Sequence, residues 1–275
     1  FSFFIFLNEI INQINWTGDT TLLGVISGTA ATAIYGVGSQ INQYYMALST
    51  SISGVFTPQI NRIVARGEGD EQLTKLFTRV GRIQFMLLML VLTGFVFVGE
   101  PFICAWGGEE YGAAYWIALL LIAPVTVPLI QNIGIEIQRA KNMHQFRSKV
   151  YFCMAIGNAL VSVPLGMKFG GIGCALGTAI SMVVGNGFIM NWYYQTHIGL
   201  DMRYFWKHIL SIVPAMLPAV ALGIIAVRLH MFTGYAGVVT FAVPYAAVYA
   251  VGLYLFAMDE SEKNMVRGVM RKIRR

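Results

Sequence analysis

The feature that most constrains this chain is the length of its apolar runs. Six stretches, 83–104, 113–135, 150–167, 172–195, 209–228 and 233–257, come close to or exceed the roughly 20 mostly apolar residues that a helix needs to cross a bilayer. Two further segments, 1–28 and 31–60, have the length but carry polar residues. Charged residues make up 12% of the 275, about half the share usual in soluble domains, and little chain is left over for one. The expected fold class is all-α integral membrane, with eight transmembrane helices.

The basic residues give the expected orientation. When alternate loops are assigned to alternate sides, one side receives the loops around Arg62–Arg82, Arg139–Lys149 and Arg203–Lys207 and the tail from Lys263 to Arg275. That is 17 of the 19 Lys and Arg, leaving Lys168 and Arg228 opposite. Positive residues accumulate on the cytoplasmic side, so both termini are expected inside a cell membrane. The net charge of +6 is thus a topology signal, with anionic lipids as the partner of the basic tail and no nucleic acid. The segment 199–208, GLDMRYFWKH, reads as an interfacial connector. Phe1 already lies in an apolar run, without the basic n-region of a signal peptide, and the chain is read as part of a longer protein.

Within this apolar frame the run NEIINQINWTGDT, 8–20, stands out. As a helix it places Asn8, Asn12, Asn15 and Asp19 on one stripe and Glu9, Gln13 and Thr20 on the next. A carboxylate at a transmembrane helix centre costs roughly 2.5–3.5 kcal/mol, against a gain of about 0.3–0.6 for a good apolar residue. A helix with two carboxylates is therefore expected to turn this face to water or protein. The second span repeats the pattern with Gln40, Asn42 and Gln43. The fourth does so with Gln131, Asn132, Glu136 and Arg139, after Pro124 and Pro128. Such helices around a wet interior suit a transporter. Asn8, Asn12, Gln13, Asn15, Gln40, Asn42, Gln43, Gln131, Asn132 and Arg139 are the expected substrate-cavity residues; Glu9, Asp19 and Glu136 are the expected ion-coupling carboxylates. Lone amides such as Asn158 and Asn186 read as hydrogen bonds between helices.

Pairs of glycines at four-residue spacing, Gly24/Gly28, Gly166/Gly170 and Gly173/Gly177, suggest close helix contacts. Cys104, Cys153 and Cys174 are scattered and read as packing residues, with no metal or disulfide framework. The four histidines lie at or near loops, and no HExxH, P-loop or GxSxG is present, so no enzyme and no cofactor is expected.

Three runs carry a resemblance: PQINRIVARGEGDEQLTKLFTRVGRIQF (58–85), the segment 106–148 from WGGEEYG to QFRS, and GGIGCALGTAIS (170–181). They resemble the polysaccharide-flippase branch of the multidrug/oligosaccharidyl-lipid/polysaccharide (MOP) exporter superfamily. The resemblance implies a fourteen-helix transporter of which this chain supplies the last eight helices. Residues 1–197 would be the second six-helix lobe, 198–257 an extra hairpin with its interfacial connector, and 258–275 a basic cytoplasmic tail. It further implies flipping of a polyprenyl-pyrophosphate-linked oligosaccharide from inner to outer leaflet for surface polysaccharide biosynthesis. Alternating access, coupled to H+ or Na+, would drive it. Cations for the pyrophosphate are scarce here, only Arg139 lying near a polar stripe, which assigns most of them to the missing N-terminal half. Two alternatives remain: a cation-coupled multidrug exporter of the same superfamily, and a non-transporting membrane scaffold of a glycan assembly complex.

Overall fold

The computed structural model describes residues 18–229 and 234–273, and among them every regular element is helical. The described part of the first expected span, 18–26, forms helix α1 and ends where the Ser27 N–H bonds Leu23 O. The chain then enters α2 (Gly28–Arg66), whose 39 residues make a rod of about 58 Å. It stops at Gly67, where a left-handed φ of 64° lets the Gly67 N–H reach the Ile63 and Val64 carbonyls. Helix α3 (Asp70–Gly107) begins three residues later with Asp70 and Glu71 against its positive end. Both helices outrun the expected spans 31–60 and 83–104, because the basic segments between them remain helical.

The expected span 113–135 is broken. Helix α4 (Ala114–Ile130) contains Pro124 and Pro128, each of which removes a backbone donor. The helix ends two residues past Pro128, and after Gln131 and Asn132 the chain resumes as α5 (Ile133–Ala140). The next helix, α6 (Gln145–Met182), folds back at Gly170, whose φ of 60° and ψ of −138° belong to a region that residues with a Cβ avoid. Its arms then lie against each other: a Cβ on Gly177 would meet Ser162 Cα at 2.8 Å, and one on Gly173 would strike Leu165 O. The expected contact role of Gly173 and Gly177 is thus seen, whereas among the described residues Gly24 meets only Thr32 Oγ1, at 3.8 Å, and Gly28 meets none. The second arm continues through Val183–Ile198, mostly in wide π-type turns.

The connector 199–208 is largely a short amphipathic helix, α7 (Met202–Leu210), capped by Asp201, which accepts the Tyr204 N–H at 3.0 Å. It leads into α8 (Val213–Arg228), followed by α9 (Gly234–Phe256) and the tail helix α10 (Glu260–Ile273). Five helices among the described residues are long and apolar enough to cross a membrane: Asp70–Gly107, Glu109–Ile130, Gln145–Ile198, Met202–Arg228 and Tyr235–Phe256. The third of these is the folded hairpin. Eight spans were expected; α2 has the length but not the apolarity, and 1–17 lie outside the described residues.

One large buried cluster, including Phe77, Tyr194, Phe205 and Tyr249, joins α3 to the connector and the last helices. A second holds Leu23, Tyr35, Ile117, Leu121 and Cys174 and binds α1 to α2, α4 and the hairpin. The basic end of the bundle is closed by Arg82. Its guanidinium bonds Glu262 at 2.8 and 2.9 Å, His208 O at 2.9 Å and Ala257 O at 2.7 Å. One side chain thus ties α3 to the connector, to the end of α9 and to the tail helix.

Candidate functional site

Asp19 is the only acidic residue on the described part of α1, and it is 4% exposed. Its Oδ2 accepts the Tyr35 hydroxyl of α2 at 2.8 Å and the Thr178 hydroxyl of the second hairpin arm at 2.5 Å. Thr178 Oγ1 also lies 3.3 Å from Asn158 Oδ1 on the first arm, which accepts the Ser162 hydroxyl at 2.8 Å. Carboxylate, phenol, two hydroxyls and an amide carbonyl therefore converge where three elements meet. The hairpin makes this possible: the fold at Gly170 lays Thr178 beside Asn158, 20 positions away in sequence.

Among the described residues no Lys or Arg forms an ion pair with Asp19. A carboxylate out of water without a basic partner is tolerated when it binds a proton or a cation. An all-oxygen donor set suits a hard monovalent cation or a proton better than a transition metal. No group of three or more His, Cys, Asp or Glu among the described residues could hold a metal ion.

Thr178 and Asn158 also line a cavity of about 220 Å³ between α2, α4 and the hairpin. The wall near the start of the hairpin carries Arg147 and Tyr151, and Asn132 stands at the break between α4 and α5. Arg147 donates to the Tyr151 hydroxyl at 2.7 Å and packs over its ring at 4.4 Å. Tyr151 in turn donates to Asn186 Oδ1 at 2.8 Å. The cavity thus has a carboxylate network behind one wall and a guanidinium on another.

The expected site residues fare differently. Asn8, Glu9, Asn12, Gln13 and Asn15 lie outside the described residues. Asp19 is buried in the network and Asn132 lines the cavity. Gln131 is buried and donates to Asn191 Oδ1 at 3.0 Å, an atom that also accepts the Trp206 indole at 2.7 Å. Gln40 and Gln43 are exposed on one face of α2, while Asn42 is fully buried on the other. Glu136 and Arg139 pair with each other at 2.8 Å, Arg139 being 57% exposed, and neither lines the cavity. The cation that does line it, Arg147, had been counted in the sequence only as a topology signal. Asn158 makes the contact between helices expected of it, to Thr178, whereas nothing in the sequence reading singles out Tyr35, Thr178 or Ser162. The one sequence signal for Ser162 is its helical spacing from Asn158 inside an apolar run.

A chain whose described residues form only helices, five of them long and apolar enough to cross a membrane, is a multi-pass membrane protein. Residues 1–116 match a family described as "Polysaccharide biosynthesis protein". A probable flippase, AglR, of Haloferax volcanii is 27% identical over 173 residues, covering 61% of this chain and 36% of that protein. The chain thus spans about a third of the length of this curated relative. No solved structure matches it. Both similarities bear out the resemblance read from the sequence, to the polysaccharide-flippase branch of the MOP exporter superfamily.

Proposed function

We propose that this chain is the C-terminal portion of a flippase that moves a polyprenyl-pyrophosphate-linked oligosaccharide from the inner to the outer leaflet. Alternating access, driven by H+ or Na+ binding at Asp19, powers the movement. Residues 1–197 form the second lobe of the transporter, 198–257 the extra hairpin and 258–275 the tail, with both termini cytoplasmic. The observation that carries the reading is the buried Asp19 network set directly behind a cavity whose wall includes Arg147 and Asn132.

The two charged groups have separate roles in it. Arg147 is a planar donor suited to phosphate oxygens, and Asn132, Tyr151 and Asn158 offer amide and hydroxyl partners for a sugar head. Asp19 is held by Tyr35 on α2 and Thr178 on the hairpin. Ion binding there changes the charge at a joint between two elements that also wall the cavity, which links occupancy of the ion site to the shape of the substrate site.

The test is Asp19→Asn in the full-length protein, expressed in cells that lack the wild-type copy. Export of surface glycan should fall at least tenfold, with polyprenyl-linked glycan accumulating on the inner leaflet. Normal glycan export with loss of dye efflux would replace this reading with a drug exporter. Glycan export untouched by Asp19→Asn would remove the coupling role of Asp19.

A further inference from the structure

The buried face of α2 carries a file of polar side chains, some of them bonded to neighbouring helices: Ser49 donates to Leu129 O of α4 at 2.9 Å. Tyr35, Ser39, Asn42, Met46, Ser49 and Ser53 recur at spacings of 4, 3, 4, 3 and 4, one stripe of a helix, and all but Met46 are polar. Each of the five polar side chains is at most 8% exposed. Tyr35, at one end, donates to Asp19. At the other end Ser53 accepts from Asn132, which lines the cavity, at 3.1 Å, and from Gln84 at 2.7 Å. Gln84 Nε2 also bonds Ser49 Oγ at 3.0 Å. The next turn of α2 adds the Tyr45 hydroxyl, 2.7 Å from Thr126 Oγ1.

One member of this file, Asn42, and the file's α3 neighbour Gln84 are incompletely bonded. Asn42 is 0% exposed, yet neither its Nδ2 nor its Oδ1 has a partner among the described residues, and Gln84 Oε1 is likewise buried and without a partner among them. An amide in that state is less stable than the leucine that would fill the same space, unless something satisfies it. A bare cation would serve only the Asn42 oxygen. Water both donates and accepts, and so satisfies both atoms at once. Ser53 and Tyr35 are 18 residues apart, about 27 Å of helix.

We infer that the buried face of α2 is a hydrated route, with a water held at Asn42, along which the coupling ion reaches Asp19 from the Asn132 end. This rests on the reading of Asp19 as the ion-binding carboxylate. The route leaves the wall of the cavity that takes the oligosaccharide head at Asn132 and continues inside the lobe.

The test uses the purified full-length protein under rapid mixing. Proton uptake after a pH jump is one arm and binding of radioactive Na+ the other. The phase lost in Asp19→Asn marks the ion that reaches this carboxylate. In Asn42→Leu that phase should keep its amplitude and slow at least tenfold, while Asn42→Ser, which keeps a donor and an acceptor, should stay within twofold of wild type. If Asn42→Leu does not fold, Ser39→Val interrupts the same file and should slow the same phase. An unchanged rate in the folded variant overturns the route, as does a changed amplitude at unchanged rate, which marks a packing effect on the site itself. If neither ion gives a phase that depends on Asp19, the coupling role of Asp19 falls and the route with it. Binding of polyprenyl-pyrophosphate-linked oligosaccharide to the same preparation then shows whether the flippase reading survives.

Discussion

Tyr35 and Thr178 act at the scale of single hydrogen bonds. Each donates to the buried Asp19, and a hydrogen bond to a charged group contributes about 1.5–3 kcal/mol. If the ion is a cation held by the carboxylate, these two hydroxyls orient it and offer further oxygens. For Na+, Tyr35→Phe and Thr178→Val should each weaken binding about tenfold to a hundredfold, read as the Na+ concentration for half-maximal transport. Arg147→Gln should leave that ion dependence in place and weaken binding of the pyrophosphate-linked substrate, measured as its Kd. Asp19 was legible in the sequence as a carboxylate that could not face lipid. Tyr35 and Thr178 were not, because a lone Tyr or Thr in an apolar run looks the same whether it packs, bonds its own helix or bonds a charge.

At the scale of elements, the hairpin α6 decides where the site is. Its two arms were legible as separate apolar segments, 150–167 and 172–195, but their close approach depends on backbone geometry at Gly170 and on the bare surfaces of Gly173 and Gly177. Gly170→Ala forces a Cβ into a conformation reserved for glycine and should cost about 1–3 kcal/mol. Gly177→Leu has no room beside Ser162 and should separate the arms, so that Thr178 no longer reaches Asn158. Thermal unfolding of the detergent-purified protein checks both, and Gly177→Leu should also lose the ion-dependent stabilisation that Gly170→Ala keeps. The break between α4 and α5 has the opposite status. Pro124 and Pro128 announced a distortion near the right place, and the break puts Asn132 on the cavity wall.

Over the whole molecule, Arg82 and Glu262 join parts of the chain 180 residues apart, with side chains only 9% and 3% exposed. Breaking a buried ion pair from one side strands the other charge, at about 3–5 kcal/mol, whereas replacing both by apolar residues is often neutral or stabilising. Glu262→Ala should therefore lower thermal stability sharply, with little sensitivity to salt, and Arg82→Met with Glu262→Leu should restore most of it. A small effect of Glu262→Ala would mean that the last helices are held by their apolar packing alone. The basic tail was legible as a run of charges. Its anchoring was not, because Glu262 in the sequence is one acidic residue among many, and its partner sits on a helix read mainly for its apolarity.

By itself, the sequence determined the solvent, the helical class and the family likeness, since apolar length and charge placement are local properties that any fold of the chain must respect. It also marked the carboxylates and amides as groups to keep from lipid; Asp19, Asn42 and Gln131 are buried, whereas Gln40 and Gln43 are exposed. Tertiary structure alone decided which polar residues meet. Asp19 finds Tyr35, Thr178 and Asn158 only because a hairpin folds at one glycine, and Arg147 reaches the cavity while Arg139 pairs with Glu136 instead. Helical periodicity assigns a residue to a face; which neighbour that face meets depends on contacts between distant segments, and no local pattern records them.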